Sequence, residues 1–262
     1  MKYLFRDWDK IKKDLYKRNI FLFLDFDGTL APIVSVPEKA KLPNDTKKIL
    51  KDLVKTLKCK VAIISGRALK DIKNKVRLKN IIYVGVHGFQ IEGQNLKNFI
   101  PKGFFRTLEI IRDELKKKIH LFEGAILEDK DVSLALHYRL VKKEKVTHLK
   151  DIFKNIISSY LINKKIKLKT GKKVLEILPF LSWDKGKVVK LLLKKEISLN
   201  NKEVFPIYIG DDKTDEDAFR VLKRKGLAVS IGRIKNSFAE YYLKNPSEVK
   251  EFLKKLLLLC KN

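Results

Sequence analysis

Four apolar residues run into an aspartate at Phe21-Leu-Phe-Leu-Asp25, and a second aspartate and a glycine follow at Asp27 and Gly28. A continuous apolar run closed by a turn signal predicts a central strand of a parallel sheet, covered on both faces. Side chains alternate along a strand, so Asp25 and Asp27 could face the same way at its C-terminal end. Two carboxylates there repel one another and are costly to desolvate. A divalent cation would relieve both problems, and ligands of open α/β sheets bind at that end of the strands. The simpler alternative is an acidic turn, with Thr29 as a cap.

Two more apolar strands end in polar signals. Lys60-Val-Ala-Ile-Ile64 leads into Ser65-Gly66-Arg67, and Val204-Phe-Pro-Ile-Tyr-Ile209 leads into Gly210-Asp211-Asp212. A lysine, Lys185, stands in Asp184-Lys-Gly-Lys187 just before a helical stretch. Each has a structural alternative. Ser65 suits the N-cap of the helix that follows. Asp215, Glu216 and Asp217 suit the macrodipole of a first helical turn.

The elements that position these groups read in order. Residues 1–20 predict a helix, with Leu4, Trp8, Ile11 and Leu15 at helical spacing. Residues 31–44 carry three prolines and predict a loop. A helix over 45–57, a strand over 60–64, a helix over 68–76 and a strand over 81–84 follow. That alternation favours a parallel sheet with right-handed crossovers. The pattern then changes to a helix over 101–120, a hairpin from 124–130 and 133–139, a helix over 142–160 and a second hairpin from 166–171 and 173–178. After Pro179 the alternation returns, with helices over 185–195, 218–225 and 247–259 and strands over 204–209 and 227–231. The expected fold is therefore α/β, a Rossmann-like parallel sheet with an inserted smaller α+β module. Residues 1–102 and 179–262 are expected to form the core domain and 103–178 the insert, with hinges near Gly103 and Pro179.

Composition narrows the function classes. The chain has 262 residues, 45% of them hydrophobic, enough for a substantial core. Two cysteines, Cys59 and Cys260, have neither metal nor disulfide spacing, which favours a reducing cytoplasm. The first residues meet charge too soon for a signal peptide, and no apolar run approaches the roughly 18 residues of a membrane span. The 59 basic residues outnumber 31 acidic ones, for a net charge of +28. They are scattered, with acids between them, and no base-stacking motif appears, so nucleic acid is not the expected partner. The charge still favours an anionic substrate by long-range attraction. A monomer is the expected state.

Together, Asp25-Phe-Asp27-Gly-Thr29, Ser65-Gly-Arg67, Lys185 and Gly210-Asp211-Asp212 resemble the four signature segments of the haloacid dehalogenase superfamily, in its phosphatase branch. One subgroup carries its cap domain between the second and third segments, where the α+β block lies here. The resemblance implies that Asp25 is the nucleophile and forms an aspartyl phosphate, and that Asp27 is the general acid and then the base. It implies that Thr29 and Ser65 offer hydroxyls to the phosphoryl oxygens and that Lys185 holds nucleophile and phosphate. It implies Mg2+ on Asp25, the backbone carbonyl of Asp27 and Asp211, with Asp212 or Asp215 in support.

Narrower strings resemble the trehalose-6-phosphate phosphatase family over roughly residues 20–235. They are Asp25 to Ile33, Ser65-Gly66-Arg67, Gly85-Val-His87-Gly88, Glu128-Asp-Lys130 with His137-Tyr-Arg139, Gly171-Lys172 through Glu176, Asp184 to Lys187 and Gly210 to Phe219. This resemblance implies a sugar-phosphate substrate, trehalose 6-phosphate, and contacts to it from Gly66, Arg67, His87, Glu128, Lys130, Arg139, Lys172 and Glu176. Cross-strand ion pairing is the structural alternative for the insert's charged residues. The family usually has an acid shortly after the His-Gly pair, where this chain has Gln90. Sucrose 6-phosphate, a mannosyl-glycerate phosphate or a hexose phosphate are alternative substrates, and a non-catalytic basic binding protein is the alternative of another class.

Overall fold

The computed structural model describes residues 1–34, 36–93, 100, 102–200 and 204–261. The chain divides into two compact units, Met1–Leu96 with Trp183–Asn262, and Lys97–Ser182.

In chain order the first unit begins with β1 (Lys2–Tyr3), α1 (Trp8–Leu15), β2 (Asn19–Leu24), α2 (Asn44–Leu53), β3 (Cys59–Ile64), α3 (Leu69–Val76), β4 (Ile82–Gly85) and β5 (Gln90–Glu92). The second unit holds α4 (Lys102–Ile119), β6 (Ile126–Asp129), β7 (Leu134–His137), α5 (Lys143–Ile162), β8 (Ile166–Gly171) and β9 (Val174–Pro179). The first unit resumes with α6 (Lys185–Asn200), β10 (Val204–Gly210), α7 (Glu216–Leu222), β11 (Leu227–Ile231), β12 (Tyr241–Leu243) and α8 (Pro246–Lys261).

Among the described residues the first unit's sheet runs β1-β12-β11-β10-β2-β3-β4-β5, parallel except for β5. Strand β2 is central because every residue from Ile20 to Leu24 is apolar and buried. Ile20, Leu22 and Leu24 enter one core with α1, α2 and α8, while Phe21 and Phe23 enter the other with α6 and α7. Burying a side chain of that size contributes about 1.5–3 kcal/mol. The rings of Phe21 and Phe23 stack at 4.2 Å, and Tyr208 of β10 continues the row. The chain leaves β2 toward β3 on one side and β10 toward β11 on the other. That reversal opens a crevice at the C-terminal ends of β2 and β10. Register aligns them, Leu24 opposite Ile209, so Asp25 and Gly210 leave the sheet together.

The parallel core and the insert's two hairpins match the expectation, and several boundaries differ. Residues 1–20 are not one helix. Lys2–Tyr3 pair with β12, Leu4–Asp7 form a 3-10 turn, and the helix ends at Leu15, just before Lys17 takes a left-handed φ of 62°. Helix α2 stops at Leu53, and Leu57 is fully exposed rather than part of its apolar stripe. Within 31–44, Pro37–Lys39 form a 3-10 turn. Helix α7 begins at Glu216 and is shorter than expected, while α6 is longer. The strands β1, β5 and β12 are two or three residues long, too short to carry a readable alternation.

In the second unit the strands run β6-β7-β9-β8, all antiparallel. Leu134, Leu136 and Ile177 are buried with Leu108, Ile111, Phe153 and Ile157 of the helices. The opposite face is polar. Glu128, Ala135, Glu176 and Lys169 lie in one row across the four strands, with Ser133 and His137 on the same face by alternation.

Candidate active site

The nucleophile candidate is placed by the sheet itself. Asp25 N–H donates to Ile209 O at 2.9 Å, extending the β2–β10 ladder by one residue. The chain then turns back, with Gly28 N–H donating to Ala31 O at 2.8 Å. Gly28 has φ +79°, and a Cβ there would lie 2.0 Å from Asp211 Oδ2. Only glycine meets both demands, the conformation and the close approach. The turn therefore brings Asp211 against the Asp25 loop.

Asp25 is 5% exposed and Lys185 only 3%. Lys185 Nζ donates to Asp25 Oδ1 at 2.8 Å and to Asp215 Oδ1 at 2.7 Å. Lysine is poorly placed at a helix start by dipole alone; here it is the first residue of α6, and the two carboxylates compensate it. Asp184 caps that helix, accepting from Lys187 N–H at 2.8 Å. Asp215 is fully buried and also accepts from Tyr208 Oη at 2.6 Å and from Asp212 N–H at 2.9 Å.

Asp25, Asp211 and Asp215 each offer a carboxylate oxygen, and these lie within 4.8 Å of one another. Burial pushes the Asp25 carboxyl well above its ordinary range; Lys185 opposes that, and Asp215 and Asp211 add to it. Burial, then Asp215, pushes Asp211 up to about 6. Burial favours the neutral form of Lys185, but Asp215 and Asp25 outweigh it and hold the ammonium charged. Three crowded carboxylates with one ammonium leave an excess of negative charge, and an all-oxygen set suits a hard divalent cation. Asp212 is elsewhere. Its carboxylate accepts from Lys213 N–H at 2.6 Å and caps the 3-10 turn before α7.

Thr29 is fully buried, and its Oγ1 has no hydrogen-bond partner among the described residues. An unsatisfied buried hydroxyl costs about 1–3 kcal/mol, a cost that an incoming oxyanion would remove. Ser65 is also buried. Its Oγ accepts from Arg67 N–H at 3.1 Å, so it shapes its own loop, and the cap position of α3 is Ala68. Gln90 supplies what that helix end lacks, its Oε1 accepting from Leu69 N–H at 2.9 Å.

Arg67 does not point into the carboxylate cluster. Its Nε donates to Asp27 Oδ2 at 2.7 Å and its Nη2 to Asp27 Oδ1 at 2.6 Å. Nη1 donates to Asp71 Oδ2 at 2.8 Å, and Nη2 also reaches Pro37 O at 2.8 Å. His87 stands over Gly66, where an added Cβ would lie 2.7 Å from the imidazole ring. Val86 and His87 have φ of 47° and 54°. For a β-branched residue that is strained, and Val86 N–H to Arg67 O and His87 N–H to Ser65 O hold it.

In the second unit, Lys130 Nζ donates to Glu176 Oε1 at 3.0 Å, and Ser133 Oγ donates to the same oxygen at 3.1 Å. His137 Nε2 lies 2.9 Å from Glu128 Oε2. Glu128, Lys130 and Glu176 thus share one cluster, which Ser133 and His137 extend. Arg139 and Lys172 are exposed, after β7 and in the β8–β9 turn. Sequence reading missed Tyr208 and Asp71 as partners of the site. Tyr208 stood in plain view two residues before Gly210, but an apolar strand hides a hydroxyl's role. Asp71 sits four residues after Arg67, an ordinary helical ion-pair spacing.

The trehalose-phosphatase family profile matches residues 23–247. The chain is 35% identical over 264 residues to trehalose-phosphate phosphatase B of Arabidopsis thaliana, covering 95% of this chain and 69% of that protein. It is 35% identical over 257 residues to trehalose 6-phosphate phosphatase RA3 of Zea mays, covering 91% and 70%. Among solved structures it is similar to a trehalose-6-phosphate phosphatase C-terminal domain from C. albicans, with TM-score 0.73, 26% identity and coverage of 95% and 97%. A haloacid dehalogenase-like hydrolase from Bacteroides thetaiotaomicron shares the fold at TM-score 0.65 and 14% identity, over 91% of this chain and 100% of that one.

Proposed function

The chain belongs to the trehalose-phosphatase family, and from that premise we propose that it hydrolyses trehalose 6-phosphate to trehalose and phosphate at the cluster around Asp25. The observation that carries this reading is the set of buried Asp25, Lys185 and Asp215 with half-buried Asp211, three carboxylates and an ammonium at one sheet end.

In the first step an Asp25 carboxylate oxygen attacks phosphorus and the bond to the sugar oxygen breaks. Asp27 gives its proton to that oxygen, which would otherwise leave as a poor alkoxide. In the second step the Asp27 carboxylate takes a proton from water, the water oxygen attacks phosphorus, and the bond to Asp25 breaks. Lys185 fixes the nucleophile's orientation through Oδ1 and opposes the rise that burial imposes on its carboxyl. Thr29 and Ser65 offer hydroxyls to the transferred group. Asp25 and Asp211 would hold Mg2+ with the Asp27 carbonyl, and Asp215 is better placed than Asp212 to support them. When bound, the ion would neutralise charge on the phosphoryl oxygens.

The second unit's polar face reads the sugar in this proposal. Glu128 and Glu176, in one row of the sheet with Lys130 between their carboxylates, can satisfy many hydroxyls at once. Glu128, Lys130 and Glu176 carry that role, with Arg139 and Lys172 as exposed contributors. The second unit then corresponds to a cap, with 103–178 as its body.

A panel of sugar phosphates, assayed with and without Mg2+ for the wild type and Asp25→Asn, tests the reading. Metal-dependent release from trehalose 6-phosphate, lost in the variant, is expected. Equal turnover of sucrose 6-phosphate would remove the sugar assignment, and full activity of Asp25→Asn would remove the mechanism.

A further inference from the structure

Asp27 and Arg67 form a bidentate ion pair that neither chemical step uses. Both carboxylate oxygens of Asp27 are taken, Oδ1 at 2.6 Å and Oδ2 at 2.7 Å. A bidentate fork of this kind fixes the plane of the carboxylate as well as its distance. The two partners are not equally held. The Arg67 side chain is 12% exposed and Asp27 is 43% exposed. The guanidinium has three further supports, Asp71, the carbonyl of Pro37 and the face of Phe26 at 5.6 Å. Its backbone is tied as well, through Ser65 Oγ and Val86 N–H. Asp27, just ahead of the Gly28 turn, is the more exposed partner.

We propose that Arg67 is a positioning residue for Asp27, a fixed clasp that holds the acid–base carboxylate aligned, and from which that carboxylate detaches to reach the leaving oxygen. The proposal rests on the reading of Asp27 as the acid and base of a phosphatase. It replaces the substrate contact that the resemblance implied for Arg67. The fork takes one lone pair of each oxygen and holds the carboxylate in one plane. Turning toward the sugar oxygen or the water opens one of its contacts in each chemical step. Arg67 can lose that contact without becoming an unpaired charge, because Asp71 and Pro37 O retain it. After each proton transfer the fork draws the carboxylate back to one orientation. Misplacing a reacting group by about 1 Å costs roughly 100-fold in rate, and that is the loss the clasp prevents.

The test separates this role from substrate binding and from general support of the fold. Arg67→Gln and Asp27→Asn are compared, singly and together, with trehalose 6-phosphate and with p-nitrophenyl phosphate, whose leaving group needs no proton. Arg67→Gln is expected to lower kcat for the sugar phosphate about 100-fold with KM within a factor of about three. With p-nitrophenyl phosphate it is expected to give a burst of about one p-nitrophenolate per site followed by slow turnover, because water activation still needs Asp27. The double variant is expected to be no slower than Asp27→Asn alone, since a clasp without its carboxylate has nothing to hold. Arg67→Lys keeps the charge without the fork and is expected to fall between, which serves if the glutamine variant does not fold. Additive losses in the double variant, a raised KM with kcat intact, or a p-nitrophenolate burst slowed as much as sugar-phosphate turnover would overturn the proposal. Full activity of Asp27→Asn on the sugar phosphate would instead overturn the acid–base reading on which it rests.

Discussion

The ammonium of Lys185 lies 2.8 Å from Oδ1 of Asp25, although 160 positions separate them in the chain and both are buried. The bond joins the end of β2 to the first turn of α6, the helix that follows the insert. It makes the charge state of Asp25 depend on a residue from the far side of the second unit in sequence. A buried pair of this kind tolerates replacement of both partners far better than removal of one.

Replacing Lys185 with methionine keeps the unbranched apolar stem of the side chain and removes its charge. Asp25 and Asp215 would then face each other without their shared cation. The expected cost is about 3–5 kcal/mol near neutral pH. It should shrink as pH falls, because protonation of Asp25 relieves the repulsion. Urea unfolding of Lys185→Met at pH 7.5 and pH 5 measures both. A variant as stable as the wild type at pH 7.5 would contradict the burial of the pair. Turnover of trehalose 6-phosphate is expected to be lost with the cation.

Asp211 sets a pH dependence in the metal-free protein. Burial and Asp215 raise its carboxyl to about 6, above its unfolded value of 3.8. The folded state therefore binds that proton more tightly than the unfolded state does. The stabilisation it supplies is complete below about pH 4 and is lost as pH rises through 6. Asp25 acts in the same direction. Relative to Asp211→Asn, the metal-free wild type is expected to lose Tm between pH 4 and pH 6.5. Mg2+ held by these carboxylates would bind their ionised form, so it should raise the wild-type Tm at pH 7.5 much more than at pH 5. Thermal melts at both pH values, with and without Mg2+, decide this; a Mg2+ effect independent of pH would count against it.

Much of the fold was open to sequence reading because apolar runs and their stops repeat the same physics. The run Phe21 to Leu24 reads as buried on both faces since every position is apolar, and it is so. Asp25, Asp211 and Lys185 were legible as candidates because each follows or precedes a strand or helix boundary. What stayed hidden is pairing across the chain. Arg67 reads as a substrate contact, yet its geometry depends on Asp27 at 40 positions' distance and on a carbonyl in the proline loop. Gln90 reads as an isolated departure, because nothing in its neighbours announces the helix N-terminus that it caps. Side chains that answer backbone groups of another segment leave no periodic trace.

In the second unit, Glu176 accepts from both Lys130 and Ser133 on the same oxygen. Replacing it with glutamine preserves size and removes the charge that Lys130 answers. If this face reads the sugar, KM for trehalose 6-phosphate should rise roughly tenfold or more. Hydrolysis of p-nitrophenyl phosphate, which has no second sugar to read, should keep its KM. Steady-state kinetics on the two substrates check the split. Parallel losses on both would assign Glu176 to the support of the hairpins.

Gln90 stands where the family usually has an acid, and the departure bears on sugar preference only if that side chain meets the sugar. Its Oε1 accepts from Leu69 N–H, the first residue of α3. At a helix N-terminus a carboxylate can take the same bond and gains from the positive end of the dipole, by about 0.3–1 kcal/mol. Gln90→Glu should therefore raise stability slightly, and the gain should be lost in high salt. Because the side chain answers α3, the ratio of kcat/KM for trehalose 6-phosphate and sucrose 6-phosphate should stay within a factor of about two of the wild type. A larger change would place Gln90 among the sugar contacts. An unchanged ratio with a salt-sensitive rise in Tm would make it a helix cap that either an amide or an acid can fill.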